Sequence, residues 1–252
     1  MPVPSLLAVF AHPDDESLAS GGVLARHAAA GARTTVVTAT WAPDTRRAAE
    51  LTEALRILGT DEPRMLGYAD AWAPRSAPCA AGFRDAPLDE TVGRVVAHLR
   101  DVRPQIVVTH DAYVRLTGHP DHVHTHRVTT LAVQAAGLEG LYPQTGEPWR
   151  PSALYLVTHP HSAVPGLGAL ARAGKARHTV PDELITATVD VSPWLEQKWA
   201  AVLAHRTEVE RGAAPGLLAA SPAAERERFL ATEWYIRHDT VSSVAARTEL
   251  TV

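Results

Sequence analysis

Two short stretches hold most of the residues whose types and spacing can do chemistry. One is His12-Pro13-Asp14-Asp15-Glu16; the other is Gly118-His119-Pro120-Asp121-His122-Val123-His124-Thr125-His126. The chain has 13 histidines, and five of them fall between His110 and His126. Imidazole nitrogens and carboxylate oxygens are good donors for a divalent ion. His12 and Asp15 can supply one donor each, leaving Asp14 free beside the ion to work on a bound water. Acids at the start of a helix also suit N-capping and the helix dipole, so the first stretch alone supports either reading.

The second stretch narrows the choice. With a helix from Asp121 onward, His122 and His126 share a face. His124 points elsewhere, as a surface or packing residue. His119 precedes the helix and reaches across its N-terminus. A metal held by His12, Asp15 and His122 has three protein ligands and one open position, the catalytic rather than the structural pattern. His126 is then a supporting residue or a rival ligand. His110 is either an orienting partner or a bystander.

These residues need elements to position them. Leu6–Ala11 is a short apolar run ending abruptly at polar residues, as a buried parallel strand does. Ser17–Ala30 reads as a helix closed by Gly31, Thr34–Thr40 as a β-branched strand, and Asp44–Leu58 as a helix stopped by Gly59. Arg64–Gly67 reads as a strand, Leu88–Val102 as a helix, Gln105–Thr109 as a strand and Asp121–Ala136 as a helix. Such alternation means βαβ units and a parallel sheet. Both polar stretches follow strands, so both emerge at the same edge of that sheet, where ligands bind in open α/β folds. The later part offers strands at Ala153–Thr158 and Ile185–Val191, a helix at Pro193–His205 and an Ala/Pro/Gly-rich surface loop over Ala213–Glu225. The expected fold is α/β, Rossmann-like, with a mostly parallel sheet flanked by helices. A single domain spans 1–252, with a core over about 5–160 and an irregular C-terminal extension over about 161–252.

Composition limits the function. With Lys+Arg 24 against Asp+Glu 28 the net charge is −4, which argues against non-specific nucleic-acid binding. One cysteine, Cys79, excludes an intramolecular disulfide framework and a Cys-rich zinc site. No apolar run reaches the ~18–20 residues of a membrane span, and Met1-Pro2-Val3-Pro4 lacks a basic signal-peptide start, so a cytoplasmic protein is expected. No Gly-x-Gly-x-x-Gly follows the first strand, which speaks against a dinucleotide.

AHPDDE after an apolar first strand, joined with GHPDHVHTH after a later one, resembles the LmbE/PIG-L family of metal-dependent de-N-acetylases. Within it, the similarity points to the mycothiol-pathway branch of N-acetylglucosaminyl-inositol deacetylases and mycothiol S-conjugate amidases. The resemblance implies that His12, Asp15 and His122 bind Zn²⁺, with Fe²⁺ or Co²⁺ also accepted by such a donor set. It implies that Asp14 is the general base, and that His119 stabilises the oxyanion or gives a proton to the leaving amine. Arg47 and Asp70 match substrate-contacting positions, and Lys198 to His205 resembles a helix near the family's C-terminus. The implied reaction is hydrolysis of the acetamide of an N-acetylglucosaminyl conjugate, a small-molecule substrate. The alternatives are an S-conjugate amidase, a deacetylase of glycosylated natural products, and an inactive metal- or sugar-binding protein. One departure stands out: the branch has Tyr-Gly before His-Pro-Asp-His, and this chain has Thr117-Gly118. Tyr113 or Arg115 in the preceding loop is the expected replacement.

Overall fold

The computed structural model describes residues 3–112, 116–175 and 178–240. In chain order the regular elements are β1 (Leu6–Phe10), α1 (Asp15–Ala29), β2 (Thr34–Thr40), α2 (Arg46–Leu58), β3 (Arg64–Tyr68), α3 (Leu88–Val102), β4 (Ile106–His110) and α4 (Pro120–Ala135). They continue as β5 (Ala153–Thr158), α5 (Gly168–Arg172), β6 (Ala187–Asp190), α6 (Leu195–Ala204), α7 (Arg206–Glu210), α8 (Ala214–Ala219), α9 (Ala223–Leu230) and β7 (Thr232–Asp239). The strands form one sheet in the order β3-β2-β1-β4-β5-β7-β6. The first five are parallel, while β7 runs antiparallel to both β5 and β6.

Every residue of β1 is buried, because both faces of this central strand are covered. Leu7 and Val9 face α3 and α4, packing with Val95, Leu99, Val128 and Ala132. Leu6, Ala8 and Phe10 face the other layer, with Leu24 of α1, Leu55 of α2 and Ala201 of α6. The continuous apolar sequence of β1 is thus split, alternate residues going to opposite helical layers.

After β3 the chain crosses to the other side of β1 and returns as β4. The strand order therefore reverses between β1 and β4, and the crevice beyond their carboxyl ends is the usual ligand position of such sheets. Phe10 and His110 end these paired strands, so the segments that begin at residues 11 and 111 leave the sheet side by side.

The C-terminal part departs from expectation. The segment 213–225, expected as a surface loop, carries α8 and the start of α9. Pro215 sits in the first turn of α8, where proline is tolerated. Gly216 lies so close to the Val209 carbonyl that a Cβ would fall 2.5 Å from its oxygen. Residues that read as loop formers are here a helix start and a close contact. No strand is expected at β7 either, which wedges between β5 and β6, although Trp234-Tyr235-Ile236 is a β-prone run.

Candidate active site

The turn after β1 is held from below. The Ala11 carbonyl accepts hydrogen bonds from the Thr40 N–H (3.0 Å) and hydroxyl (2.8 Å). The chain then enters α1 through Asp14, whose φ of 131° is rarely adopted by a non-glycine residue. Such strain persists only where surrounding contacts over-determine it. Here the Asp14 N–H donates to Glu16 Oε2 (3.0 Å), and Arg47 ion-pairs with Asp14 Oδ1 (3.3 Å).

Across the crevice, His119 caps α4: its Nδ1 accepts the Asp121 N–H at 3.2 Å. Nδ1 therefore lacks a proton and Nε2 carries it, on the side towards Asp70 Oδ1 at 3.7 Å. Burial first, then the neighbouring His12 and His122, pull His119 down to about 3. The geometry thus presents a neutral imidazole with an N–H donor.

Between these two turns lie the three expected ligands. His12 Nδ1 is 3.1 Å from His122 Nε2 and 3.3 Å from Asp15 Oδ2. His122 Nε2 is 3.3 Å from Asp15 Oδ1. Asp15 thus turns one oxygen to each imidazole, and one donor atom from each of the three residues lies within 4.8 Å of the others, close enough to share one zinc-type ion. All three side chains are buried. Burial pushes the Asp15 carboxyl up, but His122, His110 and His12 outweigh it and hold it well below the usual carboxylate range. Burial lowers His12, yet Asp121, Asp15 and Asp70 raise it to about 10. Three carboxylates around one imidazole leave negative charge that a bound cation would offset. The donor set fits a divalent ion.

The other nitrogen of His12 makes a second set of contacts. Nε2 is 3.2 Å from Asp121 Oδ2 and 3.5 Å from Asp70 Oδ2. Asp121 Oδ2 also accepts the Ala71 N–H (2.9 Å), and Asp70 Oδ1 accepts those of Trp72 (2.7 Å) and Ala73 (3.2 Å). Backbone donors hold one oxygen of each carboxylate, and both stand behind the His12 nitrogen opposite the one that faces Asp15 and His122, the position of groups that orient a ligating imidazole.

The remaining histidines separate. His110 is buried with Nε2 3.4 Å from Asp15 Oδ2, and its ring stacks on His122 at 4.0 Å between centroids. His126 Nδ1 lies 2.9 Å from the His110 carbonyl, a supporting position. His124 packs edge-on against Phe83. The sequence assigns no role at the site to Asp121, Glu208 or His205. Asp121 stood in view within His-Pro-Asp-His, while the other two lie far along the chain.

The site opens into a cleft of about 320 Å³. His12, Asp14, Asp15, Asp70, His119 and His122 all line it, as does Arg47. Arg47 is nevertheless deeply committed to the protein: it donates to the Pro13 carbonyl, pairs with Asp14 and Glu208 (3.1 Å), and lies over the Trp41 ring. Trp72 is 64% exposed on the cleft, with its ring 3.7 Å from that of His119. Leu18, Leu116, Leu170 and Phe229 add an apolar wall. Tyr113 and Arg115, expected to replace the missing phenol, lie outside the described residues.

The chain that carries this open three-donor site is similar to known proteins. The PIG-L family, described as GlcNAc-PI de-N-acetylase, matches residues 7–133, which include both polar stretches. The chain belongs to this family. Its PIG-L relatives include the 1D-myo-inositol 2-acetamido-2-deoxy-alpha-D-glucopyranoside deacetylase of Rhodococcus jostii, 37% identical over 81% of each chain. The protein of the same name from Mycobacterium leprae is 38% identical over 83% of this chain and 82% of its own. Among solved structures, the conserved protein TT1542 from Thermus thermophilus superposes with a TM-score of 0.66 at 26% identity, covering 98% of this chain and 100% of its own. As a PIG-L protein the chain is a deacetylase-type hydrolase of amide bonds. Among the described residues, no helix is long and apolar enough to cross a membrane.

Proposed function

We propose that the chain is a zinc-dependent N-deacetylase that hydrolyses the acetamide of an N-acetylglucosaminyl-inositol conjugate. The observation that carries the reading is the convergence of His12 Nδ1 and His122 Nε2, 3.1 Å apart, with the Asp15 carboxylate, which puts one oxygen 3.3 Å from each, beside the cleft that Asp14 also lines. The sugar is suggested by relatives named as deacetylases of an inositol 2-acetamido-2-deoxyglucoside.

A bound divalent ion supplies Lewis acidity, lowering the pKa of a water and polarising the acetyl carbonyl. Asp14 takes a proton from the attacking water, and Arg47 holds its carboxylate in place. His119 points its Nε2–H at the carbonyl oxygen as that atom gains charge, a kind of contact typically worth about 3–4 kcal/mol. Because Nδ1 of His119 is tied to the helix backbone and Nε2 is the donor, Asp14 returns the proton to the leaving amine. Arg47 acts on Asp14 in this account, and Asp70 fixes the turn that carries Trp72.

The test is a substrate panel with the purified chain and one added metal, read as free amine. N-acetylglucosaminyl-inositol gives the highest kcat/KM, ahead of N-acetylglucosamine and acetylated aminoglycosides. Cleavage of a mycothiol conjugate alone assigns the chain to the S-conjugate amidases, and cleavage of none contradicts the reading. Its small-molecule substrate and the absence of a membrane-crossing helix among the described residues fit a cytoplasmic enzyme.

A further inference from the structure

Two buried contacts converge on Asp14 from the C-terminal helices. His205, at the junction of α6 and α7, is buried with Nε2 2.8 Å from Glu16 Oε1. The other oxygen of Glu16 accepts the Asp14 N–H at 3.0 Å. Glu208 of α7 is also buried and pairs with Arg47 Nη1 at 3.1 Å, while Arg47 Nη2 reaches Asp14 Oδ1 at 3.3 Å. Glu208 is itself gripped by Arg211 through Nε (2.6 Å) and Nη2 (2.5 Å). One contact chain therefore ends on the backbone of Asp14 and the other on its carboxylate. That residue holds a φ of 131°, which needs support.

Buried ion pairs add little net stability compared with apolar packing. Glu208 and Arg47 also line the cleft, beside the carboxylate they steer. Both His205 and Glu208 lie beyond residue 133, where the family match ends. We propose that Glu208, through Arg47, and His205, through Glu16, are positioning residues that fix the carboxylate and backbone of Asp14. The inference rests on the reading of Asp14 as general base. It also reassigns Arg47 from substrate contact to the clamp on Asp14. The C-terminal helices thereby become part of the apparatus that aims the base, and the N-terminal half depends on them for a productive geometry.

The experiment uses the full chain and N-acetylglucosaminyl-inositol, with kcat, KM, bound metal and thermal midpoint measured for each variant. Glu208→Gln lowers kcat about 100-fold, the scale of a base displaced by about 1 Å. KM stays within about twofold and metal content is unchanged, because no ligand has moved. His205→Gln gives a loss of the same kind. Glu208→Asp, which keeps the charge on a shorter arm, recovers only part of the activity and guards against a folding failure in the first variant. In an Asp14→Asn background, Glu208→Gln causes no further loss, since residues acting as a unit are not additive. A silent Glu208→Gln, an equal further loss in the Asp14→Asn background, or a loss explained by missing metal or a collapsed thermal midpoint overturns the inference. Full activity in Asp14→Asn instead overturns the base assignment itself, and separates that failure from this one.

Discussion

Asp121 Oδ2 stands 3.2 Å from Nε2 of His12, the nitrogen opposite the one that faces Asp15 and His122. The same oxygen is pinned by the Ala71 N–H. A carboxylate behind a ligating imidazole fixes its tautomer and ring plane and raises its basicity. Asp121→Asn therefore weakens metal binding by about 10–100-fold, measured by competition with a chelator of known affinity. An unchanged affinity removes Asp121 from the metal site.

Trp72 carries its ring onto the cleft and against His119. An aromatic face suits the apolar face of a sugar ring. Trp72→Ala raises KM for N-acetylglucosaminyl-inositol about tenfold, equivalent to about 1.4 kcal/mol, with little change in kcat. Steady-state kinetics check this, and an unchanged KM rules the platform out.

Arg100 fastens the loop between α4 and β5. Its guanidinium donates to the carbonyls of Ala136, Leu138, Leu141, Tyr142 and Gly146 and to the Thr145 hydroxyl, at 2.7–3.2 Å. Arg100→Met leaves these acceptors without their partner and costs about 3 kcal/mol. Urea unfolding shows this as a lower midpoint at unchanged slope. A midpoint equal to that of the wild type contradicts it.

His98 makes stability fall in acid. Burial, then Arg64 and Arg94, pull it from 6.5 down to about 4. Between those values the unfolded chain binds a proton that the folded chain refuses. The stability from neutral His98 is thus complete above pH 6.5 and is lost as pH falls towards 4. The full shift sets a ceiling of about 3 kcal/mol, which partial exposure reduces. His98→Gln narrows the difference in unfolding free energy between about pH 7 and about pH 5. Equal pH dependence in both proteins contradicts the assignment.

The parallel half of the fold was legible because its strands are short apolar or β-branched runs and its helices end at Gly31 and Gly59, both at positive φ. The expected metal ligands come together because two strand ends at one sheet edge needed only the order of the motifs to be paired. β7 is harder to read because its β-prone run Trp234-Tyr235-Ile236 is short and flanked by Glu233, Arg237, His238 and Asp239. Glu233 is buried there with Lys198 at 2.8 Å, the N–H groups of Gly22 and Val23 and the Tyr235 hydroxyl as partners, and the pairing with Lys198, 35 residues away, is one that no local pattern reveals. Arg47 illustrates the same limit. Its ion pair with Glu208, 161 positions away, becomes visible only in the folded chain.

Metal analysis paired with turnover tests the central claim most directly, that one ion held by His12, Asp15 and His122 works with a free Asp14. Purified wild type binds one zinc ion per chain and releases amine. Asp14→Ala keeps the ion and loses turnover, whereas Asp15→Ala loses the ion as well. An Asp14→Ala protein emptied of metal, or an Asp15→Ala protein that still carries it at full occupancy, contradicts the account.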